Sequence, residues 1–256
     1  MTAASASRDI AAGSHGGTEA LKWLALALMT VDHVGQFLVG LDSPVGVALF
    51  MLGRLAFPLF AWVMAVRLVE NPARVGGYLR RLVPMAVISQ PVYAFLLDGV
   101  VPAGASWTAA GDYLASCFLD TRPNIMFVLA AGALIALPAT VPGPGFRVRH
   151  VLAVVAGIWG AVLLDMTLAW ALLVGLMAYA AHAGLGRRAA IVAATPIVAN
   201  YMVIPLAFPA AVGLPLLLLA AGRCGRWVVP RLPGWLFYAY YPAHLGVIAA
   251  LIPAVQ

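Results

Sequence analysis

Long apolar runs separated by short polar connections dominate the chain. Measured against the roughly 20 residues a helix needs to cross about 30 Å of hydrocarbon, such runs fall at Leu21–Val39, Val45–Val66, Tyr78–Leu97, Asn124–Ala139, His150–Leu164, Thr167–Ala181, Ala189–Ile204, Ala211–Ala221 and Trp235–Ile252. The pattern predicts an all-α, polytopic integral membrane protein with about nine transmembrane helices. The range is eight to ten, because the run at Ala211–Ala221 is short and the pair flanking Asp165 also reads as one bent hairpin. The small, polar residues 1–20 are expected to form a disordered cytoplasmic tail, which leaves 21–256 as a single transmembrane domain.

Polar interruptions inside these runs are the informative positions. Asp32 and His33 lie two thirds of the way along the first run, and Arg54 interrupts the second. A central Asp or Arg costs roughly 2.5 to 3.5 kcal/mol to insert, so such groups face the bundle interior, find a partner and mark a site. At 1.5 Å per residue, His33 sits roughly 18 Å above the inner start of its helix and Arg54 about 15 Å below the outer face of the next, which brings the two to one level. Asp32 and His33 diverge by about 100° around their helix, so Asp32 is the expected partner of Arg54 and His33 is left free to react. In the last run His244 also falls near mid-depth, behind Pro242, which is expected to disturb the helical hydrogen bonds there. Tyr238 and Tyr241 supply hydroxyls beside it.

Composition supports the membrane reading: 64% of residues are hydrophobic, 9% are charged and the mean hydropathy is +0.98. Of the fifteen Lys and Arg residues, all but Arg54 and Arg122 fall on one side of the expected bundle: Arg8 and Lys22; Arg67, Arg74, Arg80 and Arg81; Arg147 and Arg149; Arg187 and Arg188; Arg223, Arg226 and Arg231. The positive-inside rule makes that side cytoplasmic, with the N-terminus in and the C-terminus out. The net charge of +6 is thereby explained by topology, and no nucleic-acid partner is implied. Arg80, Arg81, Arg147 and Arg149 are either purely topological or a cradle for an anionic cofactor. The outer connection 98–123 is a solvated loop with aromatic anchors or a docking surface for a substrate. Asn124, at the outer start of the fourth run, is a helix cap or a substrate contact, while Gln90 and Asn200 read as hydrogen-bonding glue between helices. Cys117 and Cys224 form no disulfide framework, and no metal-ligand motif is present.

The segments LKWLALALMTVDHVG, GRLAFPLFAWVMA, YLRRL, NIMF and FYAYYPAHL occur in this order, and together they resemble the TraX family, membrane proteins associated with bacterial conjugation. The family takes its name from the F-type pilin N-acetyltransferase and is distantly similar to transmembrane acetyltransferases such as the heparan-α-glucosaminide enzyme. The resemblance implies a bacterial inner-membrane enzyme that moves an acetyl group from cytoplasmic acetyl-CoA to the N-terminal amine of a conjugative pilin. By motif match it also implies functional roles for Asp32, His33, Arg54, Asn124 and His244. The chemistry is compatible: an α-amine of pKa about 7.7 to 8.0 and an imidazole near 6.5 are matched for proton transfer. His33 is then the general base, or a transient acyl carrier, oriented by Asp32. Arg54 stabilises an oxyanion or locks Asp32, His244 is a second proton-transfer group or a binding contact, and Asn124 and Tyr241 meet the acceptor. The rival readings are a proton-coupled small-molecule transporter and a non-enzymatic component of a secretion system. The first should show internal repeats, and none is evident.

Overall fold

The computed structural model describes residues 15–101, 106–140, 148–163, 168–182 and 229–255. The runs expected at 189–204 and 211–221, together with Arg8, Arg147, Asp165, Arg187, Arg188, Asn200, Tyr201, Arg223, Cys224 and Arg226, lie outside the described residues. Every regular element among the described residues is helical. We number the α-helices α1 His15–His33, α2 Pro44–Gly53, α3 Ala56–Glu70, α4 Val75–Asp98, α5 Trp107–Ala115, α6 Ile125–Thr140, α7 Val148–Leu163, α8 Leu168–His182 and α9 Gly234–Val255.

Two departures from regular helix place the polar residues. α1 runs straight into a π-helical turn, Val34–Val39, so His33 is the last residue before the ladder changes pitch. That turn ends at Gly40, whose φ of 84° favours a residue without Cβ. The second expected run is broken between α2 and α3 at Arg54 and Leu55. Pro58 supplies the reason: it donates no hydrogen bond to the carbonyl four residues back, which is that of Arg54, and its ring crowds that carbonyl. Within α3 itself Pro58 lies in the first turn, where it is tolerated.

α6 forms the centre of the bundle, packed against α3, α4, α7 and α8, while α9 lies against α4, α1 and the π turn. The interior is filled by residues such as Leu59, Leu68, Leu129, Met177 and Leu245. Apolar side chains also face outward, among them Val83 and Val87 on α4, Leu152 and Trp159 on α7, and Val247 on α9. Helices apolar on both inner and outer sides suit a hydrocarbon surrounding. Among the described residues, the helical stretches Pro44–Glu70 and Gly234–Ile252 are long and apolar enough to cross a membrane. A third span results if the pair Trp107–Asp120 and Ile125–Pro138, bent by 52°, counts as one.

Three expectations change. Residues 15–20 are helical and not part of a disordered tail. They are held because Glu19 is buried and its carboxylate accepts from Lys22 at 2.6 Å and from the Leu232 backbone N–H at 3.0 Å. The outer connection 98–123 contains α5 and a π-helical turn, Ser116–Asp120. Ser106 starts α5 by accepting from the Ala109 N–H at 3.1 Å, as a helix N-cap does. Finally, α9 continues through Pro242 without a break.

Candidate active site

Asp32 and Arg54 meet across the α1 and α2–α3 hairpin. Arg54 Nε donates to Asp32 Oδ1 at 2.8 Å and Nη2 donates to Oδ2, a two-pronged pairing with Asp32 only 4% exposed. Gly53 makes the approach possible, because a Cβ there would collide with the backbone and Cβ of Asp32. The Arg54 guanidinium also lies 4.2 Å from the centre of the Phe50 ring. Two of the five guanidinium N–H groups are thus engaged by Asp32 and one face is covered by Phe50, while the side chain keeps 25% exposure.

His33 is not left alone. Its Nδ1 lies 2.7 Å from Nε2 of His244, and the two rings stack with centroids 4.9 Å apart. His244 Nδ1 in turn lies 2.9 Å from the carbonyl oxygen of Tyr240. These contacts fix the tautomers, since a carbonyl oxygen can only accept. With both rings neutral, His244 carries its proton on Nδ1 and accepts at Nε2. His33 therefore carries its proton on Nδ1, and its Nε2 is left with a bare lone pair. That nitrogen is 3.9 Å from Asp32 Oδ2, too far for a hydrogen bond and near enough to stabilise an imidazolium. Tyr241 touches both imidazole rings edge-on, at 6.3 and 5.5 Å. The arrangement can take up a proton at one defined atom and pass the resulting charge along a backed-up pair of rings.

Two expected acceptor contacts have other work. Asn124 is fully buried, donating from Nδ2 to Ala86 O at 2.7 Å and Gln90 Oε1 at 2.9 Å, and accepting at Oδ1 from the Met126 N–H at 3.0 Å. With both amide hydrogens and the oxygen engaged, it caps α6 and offers nothing to a substrate. Gln90 completes this knot by donating to the carbonyls of Cys117 and Arg122. It ties α4 to the outer π turn and α6, the helix-joining role its position suggested. Tyr241 is 1% exposed. It braces the histidines instead of facing a substrate.

A cavity of about 990 Å³ opens on the side of the bundle that carries the basic connections. Lys22, Arg67, Arg74, Arg80, Arg81 and Arg231 line it, with Glu19 as the one carboxylate among the described residues of its wall. Glu19 neutralises Lys22 and lies 3.6 Å from Arg67. Burial works to raise its pKa, but the Lys22 hydrogen bond, the Leu232 N–H and the charges of Lys22 and Arg67 together hold it below the usual carboxylate value. Among the described residues, no carboxylate pairs with Arg74, Arg80, Arg81 or Arg231. Arg81 instead stands over the Tyr238 ring, 5.8 Å from its centre. Arg80, whose Nε donates to the Gly76 carbonyl at 3.3 Å, and Arg81 are thus two of the cations on this wall. The Arg149 side chain and all of Arg147 lie outside the described residues.

A family profile described as TraX protein matches residues 17–252, nearly the whole chain. The chain belongs to the TraX family. No curated protein and no solved structure matches it. The TraX match spans Asp32, His33, Arg54 and His244 as well as the cavity residues from Glu19 to Arg231, so membership covers every part of the site. Sequence reasoning missed the direct bond between His33 and His244, the part played by the Tyr240 carbonyl, and the cavity positions Lys22, Arg67, Arg74 and Arg231. The last four were visible as members of the basic inner connections. The first two depend on side-chain direction, which spacing alone does not supply.

Proposed function

We propose that this TraX protein is a multi-pass enzyme of the bacterial inner membrane that transfers an acetyl group from cytoplasmic acetyl-CoA to the N-terminal amine of a conjugative pilin. The family's association with conjugation and pilin processing supplies the acceptor class. The bare Nε2 of His33, set by the chain of contacts through His244 to the Tyr240 carbonyl, is the observation that carries the enzymatic reading. About nine helices in one domain, N-terminus in and C-terminus out, bring the basic cavity to the cytoplasm and the α5 connection to the far side.

The proposed chemistry uses this chain's groups as follows. His33 Nε2 takes the proton from the acceptor amine as its nitrogen forms the new C–N bond. The donor supplies an activated thioester, whose C–S bond breaks with the electron pair leaving on sulfur; the proton then passes from His33 to that sulfur. Asp32 stabilises the imidazolium in between, and Arg54 holds Asp32 in place. This assigns Arg54 to locking Asp32, and His244 to orienting His33 and sharing its charge. Arg74, Arg80, Arg81 and Arg231, which pair with no carboxylate among the described residues, fit the coenzyme's phosphates, which guanidinium groups bind in a fork geometry.

The test uses purified protein in detergent with labelled acetyl-CoA and a peptide carrying the pilin N-terminus. Label on the peptide amine is the expected result. Failure to bind acetyl-CoA and to label the peptide would remove the enzymatic reading in favour of a transporter or structural component.

A further inference from the structure

Besides the histidine pair, a second polar contact joins α1 to α9 close to the site: Thr30 Oγ1 lies 2.6 Å from the Tyr240 hydroxyl. Thr30 also donates to the Leu26 carbonyl at 3.2 Å, one turn back on α1. A threonine hydroxyl carries a single proton. The Tyr240 hydroxyl is therefore the donor to Thr30, and the bonds run in one direction from Tyr240 to Thr30 to the α1 backbone. The partners are 210 residues apart in this pair and 211 in the histidine pair. The two contacts are thus rungs about one helical turn apart between parallel helices. α9 packs mainly against α4 and meets α1 along a narrower seam, so these rungs carry much of the register there. Tyr240 also governs His244 directly. Its carbonyl faces the imidazole Nδ1 at 2.9 Å, and its ring lies 15° from the imidazole plane with centroids 5.2 Å apart. The His244 ring in turn lies 13° from the plane of His33.

We propose that Thr30 and Tyr240 are positioning residues: their hydroxyl pair holds the Tyr240 ring, and through it the His244 ring and the direction in which His33 presents Nε2. This role rests on the reading of His33 as the proton-accepting group and names what orients it. Neither hydroxyl touches a reacting atom, and both protons stay where they are during turnover. The anchor is firm, because Leu26 belongs to the buried core of α1. A slip of α9 by one residue against α1 is 1.5 Å along the axis and 100° around it, which parts both rungs together. With the hydroxyl pair intact, His244 meets His33 in one register and one orientation. Without it, the single histidine contact has to hold both, and a misplacement of about 1 Å at a reacting group costs on the order of 100-fold in rate.

The experiment compares the full-length wild type with Tyr240→Phe, Thr30→Val, Thr30→Ser and the double variant Thr30→Val/Tyr240→Phe. Two readouts are taken in detergent: acetyl transfer from acetyl-CoA to the pilin peptide, and histidine ring-nitrogen NMR. Tyr240→Phe is the milder change, since Thr30 keeps its bond to Leu26, whereas Thr30→Val strands the Tyr240 O–H. Both single variants should lower kcat by about 10- to 100-fold with little change in KM for acetyl-CoA. The double variant should be no slower than the worse single one, because both remove the same bond. Thr30→Ser, which keeps the hydroxyl, should stay close to wild type. The His33 ring-nitrogen signals should shift in Tyr240→Phe and Thr30→Val and stay in place in Thr30→Ser. Wild-type kcat and unshifted signals in Tyr240→Phe would overturn the positioning role, as would a loss confined to KM or losses that multiply in the double variant. If the wild type transfers no acetyl group, the acetyl-transfer reading falls by itself. The ring-nitrogen signals then decide alone: unshifted signals overturn the control of His33 by the hydroxyl pair, and shifted ones uphold it.

Discussion

Replacing Arg54 by alanine tests the structural heart of the site. The substitution removes both hydrogen bonds that Asp32 accepts from the guanidinium, and it leaves a carboxylate that is 4% exposed without its counter-ion. Breaking a buried pair by deleting one member costs about 3–5 kcal/mol, because the abandoned charge keeps its desolvation penalty. Arg54 itself is 25% exposed on its side chain, so water can partly replace it, and the lower end of that range, about 3 kcal/mol, is expected. Loss of the contact with Phe50 adds about 0.5–1 kcal/mol. The assay is equilibrium unfolding in bicelles by titration with a denaturing detergent, run on wild type, Arg54→Ala, Asp32→Ala and the double variant. The double variant should be less destabilised than the two single losses combined, with a coupling of about 2 kcal/mol or more. A cost for Arg54→Ala under about 1 kcal/mol, or single effects that add to within about 0.5 kcal/mol, would refute the pair as a mutual anchor.

Three further outcomes follow from the same geometry. Gly53→Ala drives a Cβ into the backbone of Asp32 and should cost at least the roughly 1–3 kcal/mol of an overpacked core, measured in the same bicelle titration. His244→Ala strips the acceptor from His33 Nδ1 and should lower kcat by about 10²–10⁴ with little change in KM; His244→Gln, which restores an acceptor oxygen, should recover part of the loss. Glu19 has a folded pKa below its free value of 4.5, so its stabilising contribution is complete above pH 4.5 and is lost as pH falls through the lowered value. Thermal unfolding of wild type should show that acid loss, and Glu19→Gln should lack its share of it.

Much of this arrangement was legible before any coordinates. Charges at Asp32 and Arg54 have no tolerable place in hydrocarbon except beside each other, and the depth of a residue follows from helical rise, so their pairing could be read from spacing. The break at Arg54 was equally implicit in Pro58, although the run around it reads as one continuous helix. The ring-to-ring bond of His33 with His244 was not legible, since matching depth brings two residues to one level and says nothing of their azimuth. Asn124 shows the opposite failure. Its position fitted both a cap and a substrate contact, and only the partners on Ala86, Gln90 and Met126 decide for the cap. The tail gave way for a similar reason: Glu19 sits in a polar-looking sequence, but Lys22 one turn along the same helix, together with Arg67 and the Leu232 N–H from elements far along the chain, surrounds it.

The most direct test of the account is the state of the pilin N-terminus in cells carrying either the wild-type chain or His33→Ala at equal membrane abundance. Mass spectrometry of the processed pilin should find the terminal amine acetylated with wild type and free with His33→Ala. Full acetylation by a folded His33→Ala protein would contradict the assignment of the proton-accepting nitrogen at the centre of the site.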